Sequence, residues 1–147
     1  MAALTTADQL EIQALSACYF YALDGLHTLE GGEPGENWVK TFTPNGTFAI
    51  LQSSGERLLA VSGAEALLQA YHSFTDVETT RHWVNNLWMA GDAGEVCSGC
   101  YIIAMNIQTN PATIIRTGVY QDRLMQYENR WRFFHRTLIL DPYSPAA

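Results

Sequence analysis

The second half of the chain contains four long segments that have the composition of β-strands. They are rich in the β-branched and aromatic residues that strands favour, and they span residues 81–90, 95–108, 113–126 and 131–140. The breaks between them are only about four residues long, which is too short for the helical crossover that parallel strands need. The sequence therefore predicts an antiparallel meander of four strands. Gly99 and Gly118 lie inside it and predict bulges or sharp bends.

The first half of the chain begins with a helix signal. Residues 6–9 have the form of a capping box, in which a Thr side chain caps the helix and a Gln side chain three residues later returns the bond. Apolar residues follow at helical spacing, namely Ile12, Leu15, Tyr19, Ala22, Leu23 and Leu26. We therefore expect a helix from residue 7 to about residue 26.

Shorter elements connect this helix to the meander. Residues 31–36 are rich in Gly and predict a loop, and residues 37–42 predict a short helix. Residues 47–61 predict a hairpin around a Ser-Ser-Gly turn. A second capping box at residues 62–65 predicts a helix that extends to about Phe74.

This order of elements predicts an α+β fold. No internal repeat or linker divides the 147 residues, so we expect one domain over residues 1–147. Helices that precede a run of strands form a separate layer on the sheet. A strongly curved antiparallel sheet with helices over its inner face makes a cone-shaped barrel, and the open end of the cone provides a pocket for a ligand.

Charge and ring content narrow the choice of partners. The chain has 8 Lys and Arg against 15 Asp and Glu, a formal net charge of −7. Nucleic acids and anionic membrane surfaces bind clustered cations, so neither is an expected partner. Charged residues make up only 16 % of the chain and aromatic residues 12 %. The surplus of apolar surface predicts a cavity for a neutral, hydrophobic small molecule, an interface within a homodimer or homotrimer, or both.

Targeting and metal-binding motifs are not found in the sequence. The N-terminus has no basic segment followed by an apolar run, so we expect a cytoplasmic protein. Cys97 and Cys100 form a C-x-x-C sequence inside a predicted strand, where they point to opposite faces. Redox sites of this type begin a helix, and zinc sites need a second ligand pair, so we interpret both as buried thiols. We expect no cofactor and no metal, because phosphate-binding and paired-His motifs are missing too.

Asp24 and His82 are the residues best suited to proton transfer. Asp24 lies at the C-terminal end of the first helix, where the helix dipole favours the protonated acid. His82 shares a strand face with Asn86 and Trp88, a mixture typical of an apolar pocket with few polar groups. A His with a carboxylate partner is the commonest proton shuttle near neutral pH. The alternatives are a solvated Asp and a core His with satisfied hydrogen bonds.

Other polar residues have a less certain place in a site. Tyr19 lies five residues before Asp24, which is about 140° around an ideal helix, so the two share a site only if both flank the mouth of a pocket. Arg116 and Asp122 share one face of the third meander strand, where a structural ion pair is the ordinary interpretation. Arg136 lies in the last strand.

Several short stretches occur along the chain in an order known from one family. They are residues 19–24 at the end of the first helix, 38–48 before and in the hairpin, Gly63, and 81–82, 118–124 and 131–138 in the meander. Together they resemble the SnoaL-like branch of the nuclear transport factor 2-like superfamily over about residues 5–141. The resemblance implies a cone-shaped α+β barrel with a deep, largely apolar pocket.

The same resemblance implies site residues. Dehydratases of this superfamily use a Tyr and an Asp on the first helix and a His on a central strand, and Tyr19, Asp24 and His82 match those places. Asp24 would orient His82, and His82 would remove a proton next to a carbonyl and could pass it to the leaving hydroxyl. Tyr19 would bind the carbonyl oxygen or the departing oxygen. The implied substrate-binding residues are Asn86, Trp88, Tyr120 and Arg136. A second catalytic His, present in scytalone dehydratase, has no clear counterpart.

Three functions from different classes remain open at this point. The first is a cofactor-independent dehydratase or isomerase that acts on a ring-containing molecule such as a polyketide, steroid or terpenoid. The second is a non-catalytic binding or assembly subunit, such as the β subunit of a ring-hydroxylating dioxygenase, although such subunits are typically longer. The third is a dimerisation domain with an inactive pocket, which a large separation of Asp24 from His82 would favour.

Overall fold

The computed structural model describes residues 2–28, 31–142 and 144–145. Within these ranges the chain forms three helices: α1 (Thr6–Leu23), α2 (Pro34–Lys40) and α3 (Ala64–Ser73). It also forms six strands: β1 (Phe42–Leu51), β2 (Arg57–Ser62), β3 (Thr80–Gly91), β4 (Val96–Asn106), β5 (Thr113–Tyr127) and β6 (Arg130–Leu140). The predicted α+β class is confirmed.

All six strands belong to one curved sheet, in the order β2-β1-β6-β5-β4-β3. The four strands of the predicted meander, β3 to β6, pair antiparallel with their neighbours in sequence, as expected. β1 lies parallel to β6, and its hairpin partner β2 forms one edge of the sheet. β2 and β3 are opposite edges and do not pair with each other, so the sheet does not close into a complete barrel.

α1 begins and ends earlier than predicted. Its N-cap is Thr5, whose hydroxyl accepts from the Asp8 N–H (3.1 Å) while the Asp8 carboxylate accepts from the Thr5 N–H (2.9 Å). The helix ends at Leu23 because Gly25 takes a left-handed conformation, with φ +73°. Asp24 is therefore the C-cap residue, at the point where the chain leaves the helix.

The two shorter helices also differ from the prediction. α2 begins at Pro34, inside the predicted loop of residues 31–36, because Pro suits the first turn of a helix. α3 has Gly63 as its N-cap and no side-chain cap, so the capping box predicted at residues 62–65 is wrong. No helix of the described residues is long and apolar enough to cross a membrane.

The helices cover one face of the sheet and enclose an aromatic core. Tyr19, Trp38 and Phe133 are each at most 1 % exposed, and the Tyr19 ring centre lies 5.8 Å from each of the other two. Tyr71 of α3 donates a hydrogen bond from its hydroxyl to the Ala22 carbonyl oxygen (2.7 Å). Burial raises the pKa of Tyr71 to about 12, so the hydroxyl stays protonated and joins α3 to the C-terminal end of α1.

A β-bulge in β3 changes which residues face the core. The register of β3 against β4 shifts by one residue between Asn85 and Trp88, and Asn86 takes a left-handed conformation, with φ +55°. An extra residue in one strand reverses the alternation of faces beyond it. Leu87 and Met89 consequently pack against the core, whereas Trp88 points outward.

The outer face of the sheet carries exposed rings. Trp83, Trp88 and Tyr101 are about half exposed, at 49–53 %. Cys97 lies on this face and is exposed, whereas Cys100 is buried. The two thiols therefore point to opposite faces as predicted, but the expectation that both are buried is wrong for Cys97.

The turn between β3 and β4 depends on Gly91. This residue has φ +143°, and a Cβ atom there would fall on the carbonyl oxygen of Glu95. We expect Gly91→Ala to lower the free energy of unfolding by about 2–3 kcal/mol, because strain and overpacking add. Urea unfolding measures this loss. The control is Gly55→Ala, where φ is +90° but nothing lies nearby, with an expected cost of about 1 kcal/mol. Equal losses for the two variants would contradict the steric argument.

Candidate active site

Asp24 and His82 meet where α1 ends against β3. The Nδ1 atom of His82 lies 2.5 Å from Oδ1 of Asp24, and the backbone N–H of His82 donates to Oδ2 (3.2 Å). The two residues are 58 positions apart in the chain. The structure therefore brings together the two residues that the sequence analysis selected for proton transfer.

The Asp24 carboxylate determines which nitrogen of His82 carries the proton. An ionised carboxylate only accepts hydrogen bonds, so the contact assigns the proton to Nδ1 and leaves the lone pair on Nε2. His82 lines the pocket described below, and its side chain is 10 % exposed. In this arrangement Nε2 can accept a proton while Asp24 stabilises the imidazolium that results.

Hydrogen bonds to His82 and the nearby guanidinium of Arg81 compensate the charge of the Asp24 carboxylate. Its side chain is only 4 % exposed, and a buried carboxylate is costly unless charges or hydrogen bonds compensate it. Nε of Arg81 lies 3.8 Å from Oδ2, on the more exposed side. The ring of Phe20 lies 5.9 Å from the imidazole of His82. The His82 ring is therefore held by a hydrogen bond to Asp24 and packs near Phe20.

An apolar pocket lies next to His82. Its cavity volume is about 50 Å³, which suits a water molecule or two and is far below the roughly 300–1,000 Å³ of typical ligand sites. A ring-containing ligand therefore requires the lining side chains to move apart. Four lining residues are polar, namely Asp76, His82, Arg116 and Tyr120, and the others are hydrophobic. Among the described residues, no three His, Cys, Asp or Glu side chains are grouped to hold a metal ion.

An ion pair between Arg116 and Asp76 lines the same pocket. Nη2 of Arg116 donates to Oδ2 of Asp76 at 2.5 Å, and the Arg116 side chain is 11 % exposed. A structural ion pair was the expected role of Arg116 and Asp122, and each residue forms one. Arg116 pairs with Asp76, and Asp122 pairs with Arg136 of the last strand. Asp76 was missed because it lies in the loop between α3 and β3, where no periodic pattern marks it.

Tyr19 and Arg136 lie in the core and do not line the pocket. The guanidinium carbon of Arg136 is 4.0 Å from the ring centres of both Tyr19 and Tyr120, and its Nε is 3.2 Å from Oδ1 of Asp122. Burial raises the pKa of both tyrosines and of Asp122, although Arg136 and a hydrogen bond from Ser98 oppose the shift at Asp122. Of these residues only Tyr120 reaches the pocket wall.

Asn86 and Trp88 lie away from the pocket. Both are exposed, and neither lines the cavity. Unbroken alternation along β3 would place both on the face of His82. The bulge at Asn86 breaks that alternation and turns Trp88 to the outer face, opposite Gly99 of β4.

The sequence matches the family model of the SnoaL-like domain over residues 5–137. The chain belongs to the SnoaL-like family. Asp24, His82 and the Asp76–Arg116 pair all lie within the matched residues of this SnoaL-like domain. No curated protein matches it in sequence.

Solved structures similar to this SnoaL-like domain share its fold. A Nostoc punctiforme protein of unknown function with a cystatin-like fold is 25 % identical, with a TM-score of 0.77 over 97 % of this chain and 98 % of that chain. Two proteins of Novosphingobium aromaticivorans are also similar. One, assigned as a scytalone dehydratase, is 16 % identical, with a TM-score of 0.72 over 96 % of this chain and 89 % of that chain. The other, assigned as the β subunit of an aromatic-ring-hydroxylating dioxygenase, is 19 % identical, with a TM-score of 0.75 over 95 % and 93 %. The length of the chain therefore does not distinguish it from such a subunit.

The buried Arg136–Asp122 pair predicts a strongly non-additive mutant cycle. Arg136→Met leaves the carboxylate of Asp122 buried without its cation, and we expect a loss of about 3–5 kcal/mol in urea unfolding. Adding Asp122→Leu removes the isolated charge, so the double variant should be more stable than Arg136→Met by at least about 1 kcal/mol. A double variant that is less stable than Arg136→Met would contradict the expected coupling between the two charges.

Proposed function

We propose that this SnoaL-like domain is a cofactor-independent dehydratase or isomerase that removes a proton next to a carbonyl group of a hydrophobic, ring-containing small molecule. The observation that carries the proposal is the 2.5 Å contact between Asp24 and His82 at the edge of an apolar pocket. His82 is the base and Asp24 is the positioning residue. Polyketides, steroids and terpenoids are the compounds of this chemistry that fit an apolar wall.

The proposed reaction begins at Nε2 of His82. Nε2 takes the proton from the carbon next to the carbonyl, and the electron pair of the broken C–H bond moves toward the carbonyl oxygen. The carboxylate of Asp24 stabilises the imidazolium. The proton then returns to a different carbon in an isomerisation, or goes to a departing hydroxyl in a dehydration that releases water. Neither the isomerisation nor the dehydration needs an external oxidant or reductant.

Tyr19 takes a supporting part in this proposal. The resemblance implied that its hydroxyl binds the carbonyl oxygen, but Tyr19 is fully buried and does not line the pocket. Its ring packs 4.8 Å from Phe20, and the Phe20 ring lies against His82. We therefore assign Tyr19 a role in positioning His82 through Phe20. Contact with the substrate is made in this proposal by residues that line the cavity.

A non-catalytic subunit is the second candidate function. The observation that favours it is the outer sheet face, where Trp83, Trp88 and Tyr101 are about half exposed. Exposed apolar patches of this kind mark interaction surfaces, and the homodimer or homotrimer expected from composition would use the same face. The similarity in fold to a dioxygenase β subunit supports this candidate as well. A stable complex with an iron–sulphur oxygenase subunit, together with no proton-transfer activity, would decide in its favour.

Deuterium exchange tests the proton transfer without knowledge of the natural substrate. The purified chain is incubated in D₂O with cyclohexanone or 1-tetralone, and NMR follows deuterium uptake at the carbon next to the carbonyl. We expect uptake above the buffer rate, and a decrease of about 10²-fold or more in His82→Ala and in Asp24→Ala, the scale of general base catalysis.

The matched control for this experiment is His72→Ala. His72 is exposed on α3 and does not line the pocket, so its removal should leave the exchange rate unchanged. Circular dichroism checks that each variant is folded. Exchange at the wild-type rate in both His82→Ala and Asp24→Ala would refute the proposed mechanism.

A further inference from the structure

We infer that Arg116 binds the carbonyl oxygen of the substrate while the adjacent carbon faces His82, and that the Asp76–Arg116 pair selects neutral carbonyl compounds. This inference rests on the proposed function, because it completes the same pocket. It assigns to Arg116 the role of oxygen binding that the resemblance had given to Tyr19.

The register of the sheet places His82 and Arg116 on either side of one small residue. His82 of β3 pairs with Ala104 of β4, and Ala104 pairs with Arg116 of β5. Paired residues on neighbouring strands point to the same face. The Cα atoms of His82 and Arg116 are therefore about 10 Å apart, two strand spacings. All three residues line the pocket, so the methyl group of Ala104 leaves the space between the two polar side chains open.

Arg116 has hydrogen-bond donors to spare. A guanidinium carries five N–H donors, and its one hydrogen bond to a described residue is the bond from Nη2 to Asp76. Its Nε is buried and has no hydrogen-bond partner among the described residues. Native structures rarely leave such a donor unsatisfied. An oxygen of a bound ligand, in a pocket whose wall is otherwise mostly apolar, would satisfy it.

The charge of Asp76 sets the type of ligand. Asp76 neutralises Arg116, and Asp24 lies at the other side of the pocket behind His82. A carboxylate ligand would add a negative charge next to Asp76, and repulsion would oppose its binding. The oxygen of a ketone or aldehyde carries only partial charge and can bind to Arg116 without displacing Asp76. The pair therefore favours neutral carbonyl compounds in the ground state.

Arg116 then stabilises the charge that develops during the reaction. When Nε2 of His82 takes the proton, a carbon–carbon double bond forms and the carbonyl oxygen becomes an enolate oxygen. The interaction with the guanidinium is stronger for this oxygen than for the neutral carbonyl, so it lowers the barrier and not only the energy of the bound state. Arg116 is by this argument a catalytic residue.

The test uses 4-nitrophenol, whose ionised form resembles an enolate and absorbs visible light. Absorbance titrations above and below the pH of its ionisation give the affinities of the neutral and ionised forms. We expect Arg116→Gln to weaken binding of the phenolate about tenfold or more, because a charged hydrogen bond is lost, and Arg116→Lys to retain part of it. We expect Asp76→Asn to strengthen phenolate binding, because the guanidinium is no longer neutralised.

Arg116→Gln and Asp76→Asn are expected to change phenolate affinity in opposite directions. This difference separates a role of Arg116 in binding from a purely structural one. A purely structural ion pair predicts that Arg116→Gln and Asp76→Asn weaken binding alike, and that result would overturn the inference. So would phenolate affinity that is unchanged in Arg116→Gln, or no binding of either the neutral or the ionised form to the wild-type chain. Urea unfolding of each variant shows which ones are folded, and Arg116→Lys provides a conservative second variant.

The same titrations in a His82→Ala background distinguish this inference from the proposed function. That background has no imidazolium that could hold the phenolate, so dependence on Arg116 there reports on the oxygen site alone. If this dependence persists while deuterium exchange is independent of His82, the oxygen site stands and the proton-transfer mechanism fails. If exchange requires His82 but phenolate binding ignores Arg116, the mechanism stands and the inference fails.

Discussion

The hydrogen bond between Asp24 and His82 is the interaction on which the candidate site depends. It joins the C-cap of α1 to β3, and it holds the carboxylate in an environment where only 4 % of the side chain is exposed. A buried carboxylate has a high cost without partners, so the contact favours one position of the Asp24 side chain and one tautomer of His82. The contact lies at the edge of the pocket, whose lining includes Leu23 and His82.

Polar groups are placed at two depths inside the aromatic interior. Arg136 and Asp122 are 1 % exposed, lie among the rings of Tyr19, Tyr120 and Phe133 and do not line the cavity. His82 and Arg116 retain 10–11 % exposure and line the cavity. This difference in exposure distinguishes the buried Arg136–Asp122 pair from the two side chains that line the cavity.

Secondary structure and candidate residues were predictable from the sequence where the pattern is local or strictly periodic. The meander of β3 to β6 was predictable because its strands are long and its connections are short, and His82 stood out as a polar residue among rings. The prediction failed where one residue interrupts the period. The apolar spacing predicted a helix that continues to about residue 26, but Gly25 ends α1 at Leu23. Likewise, the bulge at Asn86 reverses the faces of β3 and removes Trp88 from the pocket.

The sequence by itself determined the α+β class and the order of helices and strands, because these follow from propensity and from hydrophobic spacing. It also singled out Asp24 and His82 as candidates, because a His with a carboxylate partner is a common acid–base pair. Only the tertiary structure decided the ion-pair partners and the pocket lining. Asp76 meets Arg116 across 40 residues, and Asp24 meets His82 across 58. Such contacts depend on strand register and on where a helix stops, and a shift of one residue in either changes which side chains share a face.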